Sequence, residues 1–304
     1  MVWGVGGWRV RSLITVLAPL ILLSGCTCKV PVTAASGLVQ LSERVNLYRR
    51  PLEIRLSKPA SPTKNGVLVV YATGDGGWHG LGEEIYRWIS AWDYPMAGFS
   101  SRGYLKNLSS VSDTATTTPR RLSRDFETII DFAERALELP KETPIILVGV
   151  SRGAGLAVVA AGQGELKGRL AGVVAIALTK EEEHVVRYRT RAGSSPAGSP
   201  GREMVEIKTY DYLPRLAGLP IMVIQSSNDG YLPAAKARTL FGPDTELGKL
   251  RAVPAKNHSF RGGCATLYKY TEDSLVWIRG FLTRTHGAFT PGSRPDAPSV
   301  GSPD

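Results

Sequence analysis

Four short, continuous apolar runs constrain the fold of this 304-residue chain more than any other feature of its sequence. They are rich in valine and isoleucine and cover Gly66 to Ala72, Pro144 to Val150, Leu170 to Leu178 and Leu219 to Gln225. Unbroken runs of this length and composition are typical of strands buried on both faces of a parallel sheet. The sequence therefore predicts a parallel sheet that is covered on both sides.

Helical patterns alternate with these strands. Apolar residues recur every three or four positions from Leu122 to Leu137 and again from Leu267 to Phe281. Ahead of the first run, Leu52, Ile54 and Leu56 alternate with polar residues, which indicates a half-buried strand. Because strands and helices alternate, we predict one α/β domain with right-handed crossovers, a mostly parallel central sheet and helices on both faces.

A G-x-S-x-G motif, GVSRG at 149–153, follows the second apolar run directly and precedes an alanine-rich stretch. A nucleophile elbow requires this context of strand, sharp turn and helix, and it exposes a serine hydroxyl above the sheet. The motif predicts the α/β-hydrolase fold with Ser151 as the nucleophile. The alternative is an ordinary serine in a glycine-rich connection.

A serine nucleophile needs a base and an acid, which in this fold follow it in the order acid, then histidine. His258 lies in a loop between the last predicted strand and the last predicted helix, whereas His184 precedes the later acids and His286 adjoins an aperiodic C-terminal segment. Asp229 follows the fourth apolar run, at a strand end where the crevice of such sheets opens. We therefore predict a triad of Ser151, Asp229 and His258. A solvated His258 and a helix-capping Asp229 are the alternatives.

The loop after the first apolar run, TGDGGW at 73–78, is rich in glycine. Glycine lets backbone N–H groups approach a substrate closely. We expect an oxyanion hole made by the N–H of Arg152 and by that of Asp75 or Gly76, with Asp75 and Trp78 contacting the substrate. A phosphate-binding loop is disfavoured because no Gly-Lys-Ser/Thr sequence follows these glycines.

Together, the GDGGW segment, the G-x-S-x-G motif and the later Asp and His resemble the AcvB/VirJ group of bacterial virulence proteins, within the α/β-hydrolase superfamily. The resemblance extends over about Val67 to Leu282. The stretch Ser100 to Leu105, followed by Thr118 and Pro119, partly matches a further pattern of that group. The resemblance implies hydrolysis of the aminoacyl ester of lysyl-phosphatidylglycerol in the periplasm.

A lysyl ester presents an ammonium group near the scissile carbonyl, so a site for it should supply a carboxylate outside the triad. Asp75 is the predicted partner, and Glu83 and Glu84 are more distant candidates. The alternative is that Asp75 only shapes its turn.

The N-terminus predicts export. Arg9 and Arg11 precede an apolar stretch from Leu13 to Leu23, which is shorter than the roughly 20 residues needed to span a bilayer. The sequence Leu-Ser-Gly-Cys ending at Cys26 resembles a lipoprotein signal, which implies a lipid on Cys26 and a membrane-anchored, periplasmic protein. The alternative is an ordinary signal peptide with a chance cysteine.

The expected organisation is a signal peptide at 1–25, a tether at 26–45, the hydrolase domain at 46–285 and a disordered tail at 286–304. An excursion at about 180–209 contains a Gly/Ser/Pro-rich stretch, which is interpreted either as a lid or as an insertion without a role. If Cys26 carries lipid, Cys28 and Cys264 remain and can pair in an oxidising compartment.

The chain is basic, with 37 Lys and Arg against 27 Asp and Glu. The basic residues are scattered, so nucleic acid is not an expected partner, whereas anionic lipid headgroups are. No metal or cofactor is expected. Three functions remain: an aminoacyl-phospholipid hydrolase, a general carboxylesterase acting on small or acyl esters, and a non-catalytic lipoprotein that binds a partner. The triad order disfavours the third, and the first two stay open because substrate choice depends on pocket shape.

Overall fold

The computed structural model describes residues 30–31, 37–47, 51–61, 65–108, 118–189 and 201–285. The predicted signal peptide, the predicted lipidation site at Cys26 and the predicted tail at 286–304 lie outside these residues. Within the described ranges, no helix combines the length and apolar character that crossing a membrane requires.

The strands of the described chain are β1 (Val39–Asn46), β2 (Pro51–Lys58), β3 (Leu68–Ala72), β4 (Met96–Phe99), β5 (Ile145–Val150), β6 (Leu170–Ile176), β7 (Glu181–Arg189), β8 (Gly201–Lys208), β9 (Ile221–Ser226) and β10 (Gly248–Val253). The α-helices are α1 (Leu81–Ala91), α2 (Ser101–Leu108), α3 (Pro119–Ala136), α4 (Arg152–Ala161), α5 (Ala234–Phe241) and α6 (Cys264–Thr285). Two 3₁₀ helices cover Gly164–Leu166 and Thr209–Leu216.

Eight of the described strands form one sheet in the order β1-β2-β4-β3-β5-β6-β9-β10. The pairs β1–β2 and β2–β4 are antiparallel, and each pair from β4 to β10 is parallel. All four predicted buried runs form strands of the parallel part, because each can bury both faces of its backbone. The predicted mostly parallel sheet is confirmed.

Helices cover both faces of this sheet, as predicted. On one face, Phe126 of α3 and Leu156 of α4 belong to a core that also includes residues of α2 and α5. On the other face, Trp88 of α1 and Ile278 of α6 belong to a second core. Because the helices fill the space on either side, only the ends of the parallel strands remain open, and these ends hold the connecting loops that form the site.

The sheet begins before the predicted domain boundary at residue 46. β1 pairs with β2 along its whole length, so residues 39–45, assigned to the tether, are an edge strand. Nearly all of its side chains are exposed, and the strand is held through its backbone hydrogen bonds to β2. The boundary therefore moves to about Val39.

The predicted excursion at about 180–209 contains an antiparallel ribbon of β7 and β8. It leaves the main sheet after β6 and returns through the 3₁₀ helix at 209–216. Residues 190–200, which include most of the Gly/Ser/Pro stretch, lie outside the described residues, and the lid interpretation stays a prediction.

One cysteine of the predicted pair is described. Cys264 begins α6 and is disulfide-bonded. The chain's other cysteines, Cys26 and Cys28, lie outside the described residues.

Candidate active site

Three predicted site residues lie directly after strands of the parallel part of the sheet. Ser151 follows β5, Asp229 lies in the loop after β9, and His258 lies in the loop after β10. Since these strands run parallel, their carboxyl ends meet at one edge of the sheet. The topology alone therefore brings residues that are far apart in the sequence to the same edge.

Ser151 occupies a strained turn between β5 and α4. Its backbone has φ 52° and ψ −119°, a conformation that residues other than glycine rarely adopt. A Cβ atom on Gly149 would lie 2.2 Å from the carbonyl oxygen of Gly153, and one on Gly153 would lie 2.1 Å from that of Ala72. Both flanking positions therefore require glycine, because backbone fills the space that a side chain would need.

The three predicted triad side chains form a hydrogen-bonded chain. The His258 Nε2 atom is 2.9 Å from the Ser151 Oγ atom, and its Nδ1 atom is 2.7 Å from the Asp229 Oδ2 atom. A carboxylate only accepts, so the imidazole carries its proton on Nδ1 and accepts a hydrogen bond from the serine hydroxyl at Nε2. These distances give the arrangement that a nucleophile, a base and an orienting acid require.

Asp229 is buried and held on both oxygens. Its Oδ1 atom accepts the backbone N–H groups of Tyr231 at 2.8 Å and Leu232 at 3.3 Å. Its Oδ2 atom accepts the Nε2–H of Gln225 at 3.0 Å as well as the histidine. The alternative role of helix cap is not observed, since Pro233 occupies the N-cap position of α5 and no side chain caps that helix.

The loop of His258 is fixed to the loop of Asp229. The Asn228 side-chain amide donates to the Ala255 carbonyl at 2.7 Å, and the ring of Tyr231 packs edge-on against the imidazole at 4.8 Å between centroids. His258 is half-buried, so the alternative of a solvated histidine does not hold. Tyr231 itself is 74% exposed and forms the rim of the site.

The predicted oxyanion loop lies against the elbow. A Cβ atom on Gly74 would be 3.4 Å from the Ser151 Cβ atom. The Gly77 N–H donates to the Gly74 carbonyl at 3.0 Å, which closes a tight turn around Asp75 and Gly76. Within the described residues, the N–H groups of those two residues have no acceptor. The loop therefore lies beside the predicted nucleophile, where an oxyanion hole needs its donors.

Asp75 and Arg152 form an ion pair across the opening of the site. The guanidinium Nη2 atom of Arg152 is 3.2 Å from the Asp75 Oδ2 atom, and its Nε–H donates to Oδ1. The carboxylate predicted to receive a substrate ammonium is thus bound to a cation of the protein itself. The role of Asp75 as the partner of a substrate ammonium stays a prediction.

The more distant candidate carboxylates are also paired. Glu84 accepts from Arg87 within α1, and a Glu83 oxygen lies 3.8 Å from the Arg55 guanidinium.

Trp78 packs beneath the oxyanion loop. Its ring contacts Tyr86 at 5.3 Å and Tyr71 at 6.2 Å between centroids, and the guanidinium of Arg55 lies 4.3 Å from its centre. These contacts anchor the base of the loop to the core that contains α1. The contact of Trp78 with substrate stays a prediction.

Several residues around the triad were not predicted. Gln225 and Asn228 hold the acid and its loop, and Tyr231 lies on the histidine. Burial and the nearby Asp229 raise the pKa of Tyr210 above its usual range, so this phenol stays neutral. Among these residues, only Gln225 left a signal in the sequence, as a polar residue at the end of an apolar run.

No cluster of three or more metal-binding side chains occurs among the described residues.

The comparisons with known proteins agree with this architecture. The family model described as bacterial virulence protein (VirJ) matches residues 66–209. A search of curated proteins finds no match.

Among solved structures, Est1E from Butyrivibrio proteoclasticus aligns with a TM-score of 0.54 and 10% identity, covering 80% of this chain and 98% of that one. A dienelactone hydrolase from Anabaena variabilis aligns at 0.53 and 14%, covering 79% and 97%. An acylaminoacyl peptidase from Pyrococcus horikoshii aligns at 0.56 and 13%, covering 86% of this chain and 44% of that one. At these identities the likeness shows the fold. The chain thus has the α/β-hydrolase fold, and its residues 66–209, with the glycine loop and Ser151, match the VirJ family, as the sequence resemblance predicted.

Proposed function

We propose that this chain is a serine hydrolase that cleaves ester bonds. The observation that carries the proposal is the hydrogen-bonded chain from Ser151 through His258 to the buried Asp229. Its serine is held in a strained elbow at the carboxyl edge of the sheet. Strained backbone conformations concentrate at functional sites, which supports a catalytic role over a structural one.

In the proposed reaction, the Ser151 oxygen bonds to the ester carbonyl carbon while His258 Nε2 takes the hydroxyl proton. The Asp229 carboxylate stabilises the imidazolium that forms. The carbonyl oxygen becomes an oxyanion that accepts the N–H of Arg152 and that of Asp75 or Gly76. The carbon–oxygen bond to the alcohol then breaks, and the alcohol leaves with the proton from His258.

Water completes the cycle. His258 takes a proton from a water molecule, whose oxygen attacks the acyl carbon attached to Ser151. The serine leaves with the proton that the imidazole returns, and the acid product is released. The reaction needs no cofactor, because protons and electron pairs are exchanged among these groups and water alone.

The test is reaction with a fluorophosphonate, which forms a covalent bond with an activated serine. We expect the wild-type chain to be labelled and Ser151→Ala not to be. The variant should lose at least about a thousandfold in kcat toward any ester that the wild type cleaves. A wild-type chain that resists labelling and cleaves no ester, or a variant that stays active, would show that the assignment is wrong.

For the substrate, we propose the aminoacyl ester of lysyl-phosphatidylglycerol. The support is the family match at 66–209 together with the resemblance of the GDGGW segment. The Asp75 ion pair with Arg152 means that the ammonium must either share this carboxylate or bind elsewhere. A panel that compares this lipid with neutral short-chain esters decides between an aminoacyl-phospholipid hydrolase and a general carboxylesterase.

We also propose that the chain is exported and anchored in the periplasm by a lipid on Cys26, supported by the signal-like N-terminus. A fatty-acid analogue should label the protein, and Cys26→Ser should abolish the label and release the protein from the membrane fraction. Label and membrane attachment that persist in this variant would contradict the anchor.

A further inference from the structure

Gln225 is an anomaly in a fully buried strand. It is the fifth of the six residues of β9, which is buried along its whole length between β6 and β10, and its exposure is 0%. An amide removed from water in this way is unfavourable unless it forms hydrogen bonds. An apolar residue would fill the position at no such cost, so the amide calls for an explanation.

The amide nitrogen of Gln225 joins two acceptors. It donates to the Asp229 Oδ2 atom at 3.0 Å and to the Leu232 carbonyl at 2.7 Å. Only the NH₂ end of the side chain can face two acceptors, so the orientation of the amide is fixed by chemistry. Its Oε1 atom has no partner among the described residues. The side chain is thus placed to donate toward the acid, even though its own acceptor is left unsatisfied.

Donors therefore hold both oxygens of the Asp229 carboxylate. Tyr231 and Leu232 bind Oδ1 through their N–H groups, and Gln225 shares Oδ2 with His258. Rotation of the carboxylate would break these bonds. Because Gln225 also holds the Leu232 carbonyl, one amide group ties the acid and the loop that carries it to the end of β9.

We propose that Gln225 is a positioning residue for Asp229, which selects the oxygen that faces His258 and holds it there. This assignment rests on the proposed function, since it matters only if His258 acts as the base. Gln225 is fully buried and acts through Asp229, so it does not bind substrate. Among the described residues, the titratable side chains that interact with the acid are His258 and the neutral phenol of Tyr210.

The first test is Gln225→Leu, assayed with the best ester of the panel and normalised to active sites titrated with fluorophosphonate. Asp229 loses one charge-assisted hydrogen bond, so kcat per titrated site should fall about tenfold. KM should not change, because the buried residue has no contact with substrate. A merely structural role would lower the number of active sites and leave kcat per site unaltered.

The second test is Gln225→Glu, which keeps the shape of the side chain. Burial and the neighbouring carboxylate disfavour the charged form of the new acid, so it donates to Asp229 while protonated and repels it once ionised. The ratio of variant to wild-type kcat should therefore fall as the pH rises. A ratio that stays constant across the pH range in which both chains are folded would contradict positioning.

Ser226→Ala is the matched control. Ser226 is the next residue of β9, is equally buried, and points to the opposite face of the sheet. Its hydroxyl has no partner among the described residues, so its loss should leave kcat and the pH profile unaltered. If Gln225→Leu keeps the wild-type kcat per titrated site, the positioning role of Gln225 is wrong, but the proposed function stands. A wild-type chain that is not labelled overturns the proposed function, and the assignment with it.

Discussion

The backbone of Ser151 stores strain that a pair of substitutions can measure. The residue has φ 52° and ψ −119°, a region that glycine adopts readily and that other residues adopt at a cost. Ser151→Ala and Ser151→Gly both remove the hydroxyl and its contact with His258. Only the glycine variant also removes the Cβ atom that makes this conformation costly. The difference in their stability therefore reports the strain of the elbow, less the cost of glycine's greater freedom in the unfolded chain.

The expected magnitude follows from two opposing effects. A residue other than glycine held in a sparsely populated region costs about 1–3 kcal/mol, which the glycine variant recovers. Glycine in turn loses about 0.4–1 kcal/mol, because it gives the unfolded chain more freedom than alanine does. We therefore expect Ser151→Gly to be more stable than Ser151→Ala by roughly 0.5–2 kcal/mol. For a domain of this size, the difference corresponds to a Tm higher by about 1–8 °C.

The assay is denaturant unfolding of the two variants, supported by thermal scans. Ala235→Gly is the control, because Ala235 is exposed in α5 and lies in ordinary helical backbone. There the same change from alanine to glycine should lower stability by about 0.5–1 kcal/mol. If Ser151→Gly is less stable than Ser151→Ala by as much as Ala235→Gly is less stable than the wild type, the elbow stores no strain and the backbone argument for a functional site fails.

Two further predictions concern charged groups. Asp75→Asn removes the ion pair with Arg152, and since the carboxylate is largely exposed, we expect kcat/KM for lysyl-phosphatidylglycerol and for a neutral ester to fall by the same factor, below about tenfold. A selective loss for the cationic ester would show instead that Asp75 binds the substrate ammonium. Burial opposes the charge of Asp244, but the Leu250 N–H and the guanidinium groups of Arg238 and Arg251 prevail and lower its pKa from 3.8 to about 2. The depressed pKa stabilises the fold above pH 3.8, and this contribution is lost as the pH falls from 3.8 to about 2. Asp244→Asn lacks the contribution, so its free energy of unfolding should fall less between these pH values than that of the wild type. Acid unfolding followed by circular dichroism measures the difference.

The meeting of Ser151, Asp229 and His258 at one edge of the sheet was predictable from the sequence, because each residue follows a signal that this fold makes meaningful. The buried runs end at Val150 and Gln225, and the residues just beyond the ends of parallel strands must meet at one edge. The order serine, acid, histidine then leaves a single histidine in a suitable loop. Chain order and strand ends thus determined Ser151, Asp229 and His258 without any knowledge of distances.

Strands without a long apolar run were harder to predict. β1 is an edge strand whose side chains are nearly all exposed, and Glu43 interrupts the alternation of Val39, Leu41 and Val45 that would mark a half-buried strand. β4 has only four residues, too few to show a period. The β7–β8 ribbon is rich in charged residues and is paired through its backbone, which a hydrophobic pattern cannot reveal.

The residues that surround the triad could not be predicted, because their roles depend on side-chain geometry. In the sequence, Gln225 is the last residue of an apolar run. Only the fold shows that its amide faces Asp229, which lies four residues later in the loop after β9. Arg152 and Asp75 are 77 positions apart, and their pairing depends on how closely the loop approaches the elbow. That approach is set by Gly74, which lies against Ser151 where a side chain would fit only tightly. The close approach of this loop to Ser151 therefore also brings Asp75 to Arg152, so the ion pair beside the proposed nucleophile follows from the same backbone geometry.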